Sequence, residues 1–151
     1  MEKLQNFITD LETNIPYFKK DNLSISKSNV GWHIDHSLKV LLGVINALKN
    51  SNPQEYQWKF NKTRFIIYTI GFIPRGKGKA PKSVRTFEPI TLNDLNAQLE
   101  ALKTTILELK SLDKKANFKH PYFGILNLKQ TIYFLELHTK HHLKIIDDIV
   151  K

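Results

Sequence analysis

The sequence predicts an all-α protein: a four-helix bundle with one long crossover between its second and third long helices. Three observations predict it. Apolar residues return every three or four positions over most of the chain, the period of a helix with one buried face. Polar stretches containing Asn, Gly or Pro interrupt that pattern. One interruption runs to about 40 residues, the kind of crossover that lets two consecutive helices of a bundle run parallel.

The first helix is expected over Lys3 to Tyr17, with Leu4, Phe7, Ile8, Leu11 and Ile15 along one side and Pro16 disturbing its end. After the polar stretch Lys19 to Asn29, a second helix runs from Val30 to Lys49 and is stopped by Asn50-Ser51-Asn52-Pro53. Asn61 to Phe72 has β-branched residues that also suit a strand, but a short helix closed by Gly71 and Pro74 is the preferred reading. A third long helix starts near Thr91 and continues through Leu95, Leu99, Leu102, Ile106 and Leu109. Thr91 can cap it, with Asp94 at the capping-box position. The last helix is expected from Leu128 to Val150, capped by Asn127. His120 falls on a loop before it. The aromatic residues Trp32, Trp58, Phe60, Phe123, Tyr133 and Phe134 are expected to pack in the core, a few of them lining a pocket.

A length of 151 residues suits one domain, 1–151. No apolar run approaches the about 20 residues of a membrane span, and the N-terminus shows no secretory signal, so a cytoplasmic location is the expectation. The sequence has no cysteine, which removes disulfides, thiolate nucleophiles and Cys-bound zinc from consideration. The formal charge is +9. Its densest cluster, Arg75, Lys77, Lys79, Lys82 and Arg85, lies in a Gly- and Pro-containing loop, not on a DNA-reading helix. Nucleic-acid binding is therefore disfavoured, whereas the loop suits a phosphate or carboxylate, or simply a solvated surface.

The readable chemistry lies in six histidines: His33, His36, His120, His138, His141 and His142. On the last helix, His138 and His142 stand four residues apart and project about 40° from one another. They straddle the midline of the apolar stripe Thr131, Phe134, Leu135, Ile145, Ile146 and Ile149, while His141 lies about 80° off it. The pair therefore points inward. Two imidazoles in an apolar core need partners, and a shared divalent metal serves both at once; a hydrogen-bonded core pair is the alternative. A third ligand should come from the second helix. Periodicity alone leans slightly to His33, because His36 sits at the boundary beside Asp35 and Lys39.

One His in the second helix followed by His138-Thr-Lys-His141-His142 resembles the DinB-like superfamily of four-helix bundles. His120-Pro-Tyr-Phe-Gly-Ile-Leu126, Gln130 and the segment Gly78 to Lys82 resemble an uncharacterised branch of it. The resemblance implies a metal triad of His36, His138 and His142, with zinc or nickel as the usual ion, and leaves His33 to orient a ligand or solvent. It also implies a metal-dependent transferase or hydrolase that activates a thiol or water, with a small-molecule substrate such as a low-molecular-weight thiol. A non-catalytic metal- or ligand-binding bundle is the other reading. His120 is expected at the pocket rim. A homodimer is compatible with the fold, but no partner-facing stripe is readable.

Overall fold

Burial follows the helical period closely. The computed structural model describes residues 1–76 and 89–151, so Lys77, Lys79, Lys82, Arg85 and the segment Gly78 to Lys82 lie outside the described residues. Helix α1 spans Glu2–Asn14 and buries Leu4, Ile8 and Leu11. Pro16 stands within a 3₁₀ turn, Ile15–Tyr17, so the α-helix ends three residues earlier than Tyr17. Helix α2, Val30–Lys49, starts where Asn29 accepts a hydrogen bond from the Trp32 amide. Its Gly31 donates to the Phe18 carbonyl at 2.8 Å, and a Cβ at this position would lie 2.8 Å from that oxygen. Only glycine lets the preceding loop approach this closely.

Helix α3, Lys62–Ile70, confirms helix over strand between residues 61 and 72; Asn61 caps it and Gly71, at φ 70°, ends it. Helix α4 spans Leu92–Thr105, and the Thr91–Asp94 capping box is complete. Beyond Thr105 the chain tightens into a 3₁₀ segment, Ile106–Lys110, which still buries Ile106 and Leu109. Helix α5 spans Leu128–Val150, with Asn127 and Gln130 forming a second capping box.

The chain is predominantly helical but not all-α. Strands β1, Asn117–His120, and β2, Gly124–Asn127, pair antiparallel with Phe118 opposite Leu126 and His120 opposite Gly124. The turn between them is held by His120, whose Nδ1 accepts the amides of Tyr122 and Phe123 at 3.1 Å each. Gly124, the first residue of β2, takes φ 72°, a left-handed conformation that favours glycine.

Helices α1, α2, α4 and α5 supply one apolar core that includes Leu4, Leu11, Ile34, Leu41, Leu99 and Ile146. Helix α2 packs on both α4 and α5, and α1 packs on α5. Between α2 and α4, buried Asp35 accepts from Lys39 and from Gln98, each at 2.8 Å. Trp58 and Phe60, expected in the core, are instead 63% and 65% exposed. They precede α3, a short helix that lies outside the four-helix core and buries only Arg64.

Arg64 joins α3 to the hairpin. Its guanidinium donates to the carbonyls of Phe123 and Ile125 at 3.2 Å and to that of Lys59. Charged donors make hydrogen bonds of roughly 1.5–3 kcal/mol, and deleting one leaves buried carbonyls without partners. Arg64→Ala is therefore expected to lower unfolding stability by about 3 kcal/mol, measured by denaturant titration. A change under about 0.5 kcal/mol, the usual range of an unimportant surface substitution, would contradict this role.

Candidate metal centre

The first turns of α2 and the middle of α5 face one another, and both carry histidine at the contact. Each of His36, His138 and His142 presents a ring nitrogen, and these three atoms all lie within 4.8 Å of one another. Ring centroids are 5.1 Å apart for His36–His138, 4.8 Å for His36–His142 and 4.6 Å for His138–His142. This spacing is close enough for one metal ion. Tetrahedral zinc at about 2.0–2.1 Å from each nitrogen places its ligand atoms about 3.3 Å apart, so small side-chain movements close the set.

His36 and His142 are 4% and 7% exposed. His138 is half-buried as a residue, yet its Nδ1 is inaccessible and has no hydrogen-bond partner among the described residues. An orphaned buried ring nitrogen is costly unless a partner such as a water or an ion meets it. Burial pushes the pKa of His138 and His142 well below the usual imidazole range, and the neighbouring histidines push the same way. Neutral rings are the form that ligates metal.

His33 lies against this group without belonging to it. Its Nδ1 and that of His142 are 3.0 Å apart, and its Nε2 is 2.9 Å from Ser26 Oγ. Two proton arrangements satisfy this chain. If His142 Nδ1 donates to His33, then His33 Nε2 donates to Ser26 and His142 Nε2 keeps its lone pair. The reverse arrangement puts a proton on His142 Nε2. Only the first leaves His142 able to bind an ion, and a bound ion selects it. Burial, then the charges of His36, His141 and Arg75, brings the His33 pKa down to about 4, so it stays neutral as acceptor. The Trp32 ring stacks on His36 at 4.9 Å and 11°, fixing that ring's plane.

The inward direction of His138 and His142 expected from the helical wheel agrees with this arrangement, as does the outward turn of His141. Its Nδ1 donates to the Ile73 carbonyl at 2.9 Å. The wheel's preference for His33 over His36 does not hold, since His36 meets the α5 pair. His120 is outside the cluster: besides holding the hairpin turn, its ring stacks on Phe123 at 4.3 Å and meets Phe134 edge-on at 4.5 Å. Trp32 carried only a packing expectation, and Ser26, in the polar stretch before α2, shows no pattern that marks it.

Compared with known proteins, the chain matches no family model, no curated protein and no solved structure. No helix among the described residues is long and apolar enough to cross a membrane.

Burial lowers the His120 pKa to about 4, against about 6.5 in an unfolded chain. Between these values the unfolded chain binds more protons, so stability present above pH 6.5 falls as pH drops toward 4. His120→Asn retains an acceptor for the turn but does not titrate. Denaturant midpoints of the metal-free protein should fall less steeply across this window in the variant than in the parent. Identical slopes would show that His120 does not carry the effect.

Proposed function

We propose that the chain is a metal-dependent protein of the DinB-like type, with His36, His138 and His142 holding one divalent ion, zinc or nickel. One observation carries this reading: three imidazoles from two helices converge within a single ion's reach. With three protein ligands and no carboxylate among them, such a site keeps a position open for water or substrate, unlike a closed structural site.

A bound ion would act as a Lewis acid and lower the pKa of a coordinated thiol or water, which suits a transferase or hydrolase. The chain's own residues do the positioning. The Ser26–His33–His142 chain can accommodate His142 with Nε2 free of its proton, and Trp32 keeps the His36 ring flat against the indole. The absence of cysteine is consistent with a nucleophile supplied by a cosubstrate such as a low-molecular-weight thiol. A second reading, a non-catalytic metal holder, is favoured by how little of His36 and His142 reaches solvent. Consumption of a thiol in the presence of a model electrophile, by metal-loaded but not metal-stripped protein, selects the enzyme; full metal occupancy with no turnover selects the holder.

His138→Ala and His142→Ala should each abolish metal uptake by elemental analysis, and full retention in both variants would end the triad reading. His33→Ala should still bind the ion, with affinity reduced by roughly 10–100-fold, the usual cost of losing a group that orients a ligand. Competition with a chromogenic chelator measures this, and unchanged affinity would remove His33 from the site.

A further inference from the structure

On the other side of His141 from the metal cluster lies a cleft of about 300 Å³, between the segment after α3 and the face of α5. Gly71 turns the chain out of α3, and residues 72–75 are then stitched along α5 at two points. His141 Nδ1 donates to the Ile73 carbonyl at 2.9 Å. Arg75 Nη2 donates to the Lys144 carbonyl at 3.1 Å and to Asp148 Oδ2 at 2.7 Å. Phe72, Ile73, Pro74 and Leu137 make the apolar wall, while Arg75, Lys140 and Lys144 bring positive charge to it.

The charge is unbalanced. Lys140 and Lys144 stand four apart on one helix face, where like charges repel. Among the described residues neither forms an ion pair, and Asp148 is engaged by Arg75 and Lys151. Cations gathered against an apolar wall fit a ligand with an anionic group on an apolar body. We propose that this cleft binds a small amphiphilic anion, a carboxylate or phosphate group attached to a short apolar chain. The cleft is built from its own residues and does not depend on the metal reading. Its wall nevertheless adjoins the cluster, because the His141 and His142 rings are 5.1 Å apart.

Calorimetric titration of the metal-stripped full chain at low ionic strength with hexanoate, acetate and hexyl phosphate tests this. Hexanoate or hexyl phosphate should bind saturably, and whichever binds tighter identifies the anionic group. Acetate should bind more than tenfold weaker than hexanoate, since each buried CH₂ contributes up to about 0.8 kcal/mol. Lys140→Ser with Lys144→Ser should weaken binding about tenfold, the sum expected of two exposed ion pairs. Lys110→Ser with Lys114→Ser, which removes the same charge elsewhere, should leave it unchanged. The proposal is overturned by acetate binding as tightly as hexanoate, by equal losses in the two double variants, or by no saturable binding. Binding seen only after metal loading also overturns it, because the anion would then be held by the ion and not by the cleft.

Discussion

Imidazole nitrogens taken out of water must find partners, and the contact between α2 and α5 is arranged around that requirement. His33, His36 and His142 are all buried there, on helix faces made mostly of aliphatic residues. Unmet, a set of buried polar atoms of this kind would weaken the interface on which α2 and α5 both depend. Part of the requirement is answered within the protein, through the Ser26–His33–His142 chain. The orphaned Nδ1 of His138 shows that part of it is not. Fully satisfied polar networks rigidify a core, whereas an unpartnered buried group calls for a partner such as a water or an ion. Burial, with the neighbouring histidines, lowers the pKa of His33, His138 and His142 and keeps those rings uncharged, which eases the approach of a dication.

How much of this was legible depended on the length and local chemistry of each element. The extents of α2 and α5 could be read closely because both are long and periodic, and α5 is started by an asparagine whose side chain caps it. The hairpin could not. Strands of four residues give period-2 alternation no room to appear, and the pinning of the turn by His120 depends on ring direction, not residue order. Trp58 and Phe60 mislead for a different reason: an aromatic side chain reports a tendency to be buried, while its exposure is decided by whether another element covers it. Here α3 is too short and too peripheral to do so.

The choice between His33 and His36 shows where helical-wheel reasoning fails. A wheel assigns a polar arc by assuming that charged residues face solvent. Asp35 breaks the assumption, being 2% exposed and satisfied by Lys39 and Gln98 from within the protein. Helix α2 is thus buried nearly all round its first turns, and His36, next to Asp35, is interior and not at a boundary. The geometry accordingly brings His36 to the α5 pair.

Successive residues on α5 then serve different surroundings. About 100° separates neighbouring side chains, so His142 can turn into the helix contact while His141 turns toward the segment after α3. The outward ring ties that segment down through Ile73, and in doing so shapes one wall of the cationic cleft. The α5 side of the cleft and the α5 side of the histidine cluster therefore share adjoining turns of one helix. The Cα atoms of Lys140, His141 and Lys144 cannot shift without moving the backbone that also carries His138 and His142. Helix α5 is held at its start by the capping box and against α1 and α2 along its length, so such movement is resisted. The cationic cleft and the histidine cluster accordingly lie next to one another along α5, with the His141 and His142 rings 5.1 Å apart.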